Sequence, residues 1–155
     1  MYTRLLLILL LGTTLMCSCQ TEPLPVNSLA DRVTEGTSKD RILFRIIADE
    51  NNSSKDYFEI SSEDGKVLIT GNSDLSLSTG LNWYLKYVAG IHLSWNNLSQ
   101  KLPEVLPLPQ ETIRKETSMQ ARYYLNYCAY SYSMAFWDWE RWEKEIDWMA
   151  LHGIN

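Results

Sequence analysis

The sequence predicts an α/β fold in two unequal parts: an N-terminal α/β sandwich domain, then the first strand and helix of a βα repeat. Three observations carry this prediction. Over residues 27–96 the order helix, strand, hairpin, helix, strand fits a small sheet with helices on one face. Pro103, Pro107 and Pro109 then break any periodic apolar pattern. Beyond Thr117 a strand, an aromatic loop, a helix and the start of another strand follow one another. Hydrophobic residues make up 45% and charged residues 21%, the profile of a folded rather than a disordered chain.

Residues 1–19 are expected to be an address rather than part of the fold. Arg4 supplies a positive n-region, and Leu5 to Leu11 form an apolar run too short to span a bilayer. The run ends at Leu15-Met16-Cys17-Ser18-Cys19, which resembles the lipobox of bacterial lipoproteins. Cys19, preceded by the small Ser18, fits the lipidation position better than Cys17, which follows Met16. An ordinary secretory signal is the other reading. Lipidation at Cys19 would make the protein an exported, membrane-anchored lipoprotein of the periplasm or cell surface. Cys128 would then be the one cysteine besides the lipidated residue, so the mature chain could hold no internal disulfide framework.

Residues 20–40 are expected to form a tether with Pro23 and Pro25, then a short helix from Asn27 to Glu35. Asn27 or Ser28 would cap it and Gly36 would end it. The core of the first domain is expected over residues 41–96, within a domain of 27–96. Arg41 to Ala48 is rich in Ile, Leu and Phe and is predicted to be a strand buried on both sides. Tyr57–Ser61 and Lys66–Gly71 flank Asp64-Gly65, a strong hairpin signal. Leu77, Leu81, Tyr84, Leu85 and Val88 share a helical face, with Asp74 or Ser76 as cap and Gly90 as stop. Ile91 to Trp95 is predicted to be a further strand. Residues 97–116 are expected to be an extended interdomain linker.

The second part spans residues 117–155. Ala121 to Leu125 is the predicted strand, Asn126 to Trp137 a loop rich in Tyr and Ser, and Asp138 to His152 a helix capped by Asp138. Trp139, Trp142, Ile146, Met149 and Ala150 share its apolar face. In a βα barrel the loop after a strand lies on the reaction face. There Asn126 can hydrogen-bond a sugar hydroxyl or acetamido group, Tyr132 offers a ring face and a hydroxyl, and Cys128 is small enough to line a pocket. Packing between barrel and neighbouring domain is the competing role for all three. Glu140 and Asp147 are expected to be a solvated outer face and salt-bridge partners, because barrel helices point away from the reaction face. His92 and His152 have no partner at metal-ligand spacing, and no cofactor or metal site is expected. Net charge is −5 with no basic stripe, which argues against nucleic acid as a partner.

The stretches Arg122-Tyr123-Tyr124-Leu125-Asn126-Tyr127-Cys128 and Tyr130 to Asn155, with its run Phe136-Trp137-Asp138-Trp139-Glu140-Arg141-Trp142, closely resemble the start of the catalytic barrel in α-N-acetylglucosaminidases, glycoside hydrolase family 89. Phe58-Glu59-Ile60, Asp64-Gly65-Lys66, Gly71-Asn72 and Gly80-Leu81-Asn82-Trp83-Tyr84-Leu85-Lys86-Tyr87 are similar to that family's N-terminal domain. Ala129 departs from the Thr of many relatives. The resemblance implies the first strand and helix of a (β/α)8 TIM-type barrel. It also implies removal of terminal α-linked N-acetylglucosamine from glycans with retention, by two carboxylates later in the barrel. No catalytic residue is assigned in this sequence. The resemblance places Asn126, Cys128 and Tyr132 in the sugar pocket. A barrel needs roughly 200 residues, so the chain is expected to be an N-terminal fragment, inactive alone. The alternative from another class is a lipid-anchored, non-catalytic carbohydrate-binding module. Oligomeric state is not legible in the sequence.

Overall fold

The computed structural model describes residues 23–48 and 55–155. The expected signal peptide with Cys17 and Cys19, the start of the tether and the polar turn after Asp49 lie outside the described residues.

Helix α1 runs over Pro25–Val33, with Pro25 in its first turn and Leu24 at the N-cap position. Proline there has no N–H to lose and a φ already suited to the helix, so α1 starts ahead of the predicted Asn27 or Ser28 cap. Val26, Leu29, Ala30 and Val33 turn one face inward. The chain leaves α1 through left-handed Glu35 and Gly36. Thr34 fastens this exit: its hydroxyl donates to the Ala30 carbonyl at 2.6 Å and accepts from the Ser38 N–H at 3.2 Å.

Four strands form one sheet in the order β1-β3-β2-β4. Strands β2 (Asp56–Glu63) and β3 (Lys66–Gly71) make the predicted hairpin. Asp64 and Gly65 both have positive φ, 50° and 75°, as a type I′ turn requires. Strand β1 (Ile42–Ile46) pairs in parallel with β3 and forms one edge of the sheet. The expectation of a strand buried on both sides is corrected here. Ile42 is buried, but Arg45 and Ile46 are exposed, since an edge strand has only one neighbour to cover it.

Helix α2 (Asp74–Tyr87) is capped by Ser73, not by Asp74 or Ser76; the Ser73 hydroxyl accepts from the Ser76 N–H at 3.1 Å. Leu77, Leu81, Tyr84 and Leu85 on α2 are completely buried. They pack with Ile60, Val67 and Ile69 of the sheet and with α1. Gly80 permits the close approach, because a Cβ there would stand 2.8 Å from Ile69 Cγ2.

Two expectations for the following segment change. Ile91 to Trp95 forms no strand, only a bridge between Ser94 and Asn97. The sheet edges are taken by β1 and β4, so Ile91 and Leu93 enter the core without a ladder. The expected linker 97–116 packs along the first domain: Leu102 is buried, and the Tyr84 hydroxyl donates to the Pro107 carbonyl at 3.0 Å. It ends in strand β4 (Ile113–Thr117), antiparallel to β2, which closes the second sheet edge.

Ala121 to Leu125 forms no strand; among the described residues it is tied to the chain end by the Asn155 N–H, which donates to the Arg122 carbonyl at 3.2 Å. After it come a helical turn α3 (Tyr127–Ala129), a π-helical turn over Tyr130–Met134, and helix α4 (Trp139–Leu151). Asp138 caps α4 as predicted, accepting from the Arg141 N–H at 2.9 Å. The sheet with its helices thus precedes a non-strand segment and helix α4, keeping the mixed α/β character that the sequence predicts.

Candidate functional site

The loop expected to touch ligand is held at both ends by arginines. At the entering end, the Arg122 guanidinium donates to the Gly153 carbonyl, to the Met119 carbonyl at 2.6 Å and to the Asp56 carboxylate at the start of β2. Asn155 reinforces this end: its side chain accepts from the Arg122 N–H at 2.9 Å and donates to the Gln120 carbonyl at 2.8 Å. At the leaving end, the Arg141 guanidinium lies 4.0 Å from the Trp137 ring centre and 4.5 Å from that of Trp95. It also donates to Glu145 at 2.9 Å, and the Trp95 indole N–H donates to the same oxygen at 2.8 Å.

Between these anchors lie the three residues singled out from the sequence. Asn126 precedes α3, Cys128 lies within it, and Tyr132 is in the middle of the π-helical turn. All three are exposed, Tyr132 to 84%. Cys128 is a free thiol. Single π-helical turns are uncommon and concentrate at functional sites. Tyr127 and Phe136 on the same loop are 85% and 92% exposed, so the segment presents aromatic rings outward.

Among the described residues two clefts beside the unit stand out, and neither is lined by Asn126, Cys128 or Tyr132. One, of about 230 Å³, lies where Asp56, Thr79, Lys115 and Arg122 meet His152 and Gly153. The other, of about 670 Å³, lies between Arg32, Trp95–Ser99 and the polar side of α4. Among the described residues no cluster of three or more His, Cys, Asp and Glu side chains could hold a metal ion. No helix among them is long and apolar enough to cross a membrane.

Two acidic residues of α4, Glu145 and Asp147, are dock points. Asp147 is buried, not solvated as expected, and accepts two hydrogen bonds from the Arg32 guanidinium, at 2.7 and 2.6 Å. The hydrogen bonds that Arg32 donates to Asp147, together with the charge of that carboxylate, hold the Arg32 pKa above its ordinary value against partial burial. Glu145 is buried to 1% exposure between Arg141 and Trp95. Glu140 is the exposed member, paired with Lys144 at 2.8 Å. The apolar face predicted for α4 is also corrected: Trp139 and Ile146 face outward, while Leu151 is fully buried against α2, where Asn82 donates to its carbonyl at 3.0 Å. The i, i+4 spacing of Arg141 and Glu145 was the one sequence signal for this dock. Nothing local marks Trp95 or Arg32 as their partners across the chain.

Comparison with known proteins fits this architecture. Residues 24–108 match the family described as Alpha-N-acetylglucosaminidase (NAGLU) N-terminal domain, and residues 122–155 match the Alpha-N-acetylglucosaminidase (NAGLU) tim-barrel domain. The human protein Alpha-N-acetylglucosaminidase is 42% identical over 90 residues, covering 58% of this chain and 12% of that protein. CpGH89 from Clostridium perfringens, solved in complex with its substrate GlcNAc-alpha-1,4-galactose, superposes with a TM-score of 0.76 at 39% identity over 84% of this chain. A family 89 glycoside hydrolase from the same organism, in complex with 2-acetamido-1,2-dideoxynojirmycin, gives a TM-score of 0.74 at 40% identity over 84% of this chain. The chain spans 15% of the length of each of these bacterial proteins. Two consecutive domains of one family match in order, the first covering more than half of the chain, and the chain belongs to the α-N-acetylglucosaminidase family, glycoside hydrolase family 89.

Proposed function

We propose that this chain supplies the N-terminal domain and the first barrel unit of a retaining exo-α-N-acetylglucosaminidase, which removes terminal α-linked N-acetylglucosamine from glycans. The observation that carries the reading is the pair of consecutive family matches, joined to a solved relative that holds GlcNAc-alpha-1,4-galactose. Asn126, Cys128 and Tyr132 are the contribution of these residues to the sugar pocket. Asn126 hydrogen-bonds a hydroxyl or the acetamido group, Tyr132 covers a sugar face, and Cys128 lines the wall beside them. Retention needs two carboxyl groups about 5 Å apart across the sugar, and neither is assigned to a position in this sequence. The acidic residues of α4 are committed to the first domain or to solvent.

The test has two arms. A polypeptide confined to these 155 residues is expected to leave an aryl α-N-acetylglucosaminide intact; turnover abolished by Asn126→Ala would overturn that expectation. In the second arm, residues 24–155 replace the matching stretch of the Clostridium perfringens enzyme. The chimaera is expected to hydrolyse GlcNAc-alpha-1,4-galactose, and Asn126→Ala to lower its kcat/KM about tenfold, the worth of one hydrogen bond to a sugar. Unchanged kcat/KM removes Asn126 from the pocket, and a folded but inactive chimaera defeats the proposed role of the chain.

We also propose export and anchoring through a lipid on Cys19. The lipobox-like Leu15-Met16-Cys17-Ser18-Cys19 supports this. Labelling of the expressed protein with a radioactive fatty acid should be lost in Cys19→Ser and kept in Cys17→Ser.

A further inference from the structure

We propose that the N-terminal domain positions the sugar-contacting loop of the barrel, with Asp56 and Trp95 as positioning residues that act through Arg122 and Arg141. The proposal rests on the assignment of Asn126, Cys128 and Tyr132 to the sugar pocket. It adds that their placement is set from outside the barrel.

The loop from Asn126 to Trp137 buries little apolar surface among its described side chains. Asn126, Tyr127, Cys128, Tyr132 and Phe136 are exposed, and Met134 is its buried apolar side chain among those described. A loop with few buried apolar contacts takes its geometry from its ends. Each end is fixed by an arginine, and each arginine is fixed by a residue of the first domain. Arg122 is 15% exposed at its side chain and is paired with Asp56, the first residue of β2. Asp56 is paired with Thr117 of β4 in the sheet register, so its carboxylate is carried by the β2–β4 ladder. At the other end Arg141 lies over Trp95 and over Trp137, and Trp137 is the last residue of the loop before the Asp138 cap. Trp95 further donates its indole N–H to Glu145, which receives Arg141 as well. A planar guanidinium that stacks and hydrogen-bonds at once has one favoured orientation.

Positioning matters because contacts to a reacting sugar are sensitive to displacements of about 1 Å, with losses near a hundredfold. Asp56 pairs with Arg122 and Trp95 lies under Arg141, so the route proposed for either to the loop is through these arginines.

The first measurement uses the whole 155-residue chain and hydrogen–deuterium exchange. Asp56→Asn and Trp95→Ala are expected to speed exchange across residues 126–137 about tenfold while β3 and α2 keep their protection, and Asp56→Glu is expected to restore slow exchange. Uniform acceleration over the whole chain would mean general destabilisation and would overturn the proposal. Unchanged exchange in 126–137 would overturn it equally. The second measurement is a double-mutant cycle in the chimaera. Asp56→Asn should lower kcat/KM about tenfold, and by less than about threefold once Asn126→Ala is present, because both act on one contact. Equal factors in both backgrounds would overturn positioning while leaving the sugar pocket intact. No effect of Asn126→Ala alone would defeat the pocket assignment instead, and the exchange pattern then stands or falls alone as the test of anchoring.

Discussion

The layer made by α1, α2 and the four-stranded sheet is closed by apolar contact: Ile60, Val67, Ile69, Leu77, Leu81 and Leu85 have no exposed surface. The unit from Met119 onward is built differently. Among its described apolar side chains only Met134 and Leu151 are buried, and beyond the seat of Leu151 against α2 its attachment runs through Arg32–Asp147, Arg122–Asp56 and the group of Trp95, Arg141 and Glu145. Apolar burial is large and tolerant of small displacement. Paired charges are worth less in net energy but demand particular partners. The first region therefore supplies stability, and the second borrows its place from it.

That contrast can be broken at its strongest point first. Leu81→Ala, at the centre of the closed layer, is expected to cost about 3–4 kcal/mol in urea unfolding followed by far-UV circular dichroism. A loss below about 1 kcal/mol would mean that α2 is not seated as described. Arg32→Ala comes next, at about 1–3 kcal/mol, since it leaves buried Asp147 without its donors. Its effect should be confined to α4 in amide exchange; equal loosening of β3 would erase the distinction between the two regions.

Tyr84→Phe gives the smallest effect at neutral pH, about 1 kcal/mol, for the lost bond to Pro107. Its pH dependence sharpens the assignment of the proline-rich segment to the first region. Burial pushes the Tyr84 pKa up to about 12, against an opposing pull from Arg41. The unfolded chain ionises this hydroxyl near pH 10, so stability is constant below that value and falls as pH rises from about 10 through 12, at about 1.4 kcal/mol per pH unit. Tyr84→Phe should remove that part of the alkaline loss. An identical alkaline profile in the variant would show that the hydroxyl is not held out of water.

Local chemistry made much of the first region legible. Asp64-Gly65 between two apolar runs specified its hairpin, and the spacing of Leu77, Leu81, Tyr84 and Leu85 specified α2, because turn geometry and helical period are written within a few residues. Strand β4 escaped notice: Ile113-Arg114-Lys115-Glu116-Thr117 is polar, follows a proline-rich stretch and is a strand only because β2 lies beside it. The same applies to the exposed side of β1 and to the missing strand at Ile91–Trp95, where neighbours in the sheet decide the outcome. In the second region the pattern of α4 pointed to an apolar seam. The partners that bury Glu145 and Asp147 instead are 50 and 115 residues away in sequence, beyond the reach of periodicity. Asn126, Cys128 and Tyr132 were legible as residue types suited to sugar, and their common loop follows from the chain order; what holds that loop was not.

The choice of charges at the α4 dock also affects assembly errors. A greasy helix can slide by one turn, about 5.4 Å, and still bury similar area. Here such a slip would carry Asp147 away from Arg32 and Glu145 away from Trp95, leaving carboxylates stranded in a place that excludes water. Misregistered arrangements are penalised more heavily than they would be along an oily seam. Helix α4 is thus given a single seat, and the choice between registers is made by charges at the domain junction.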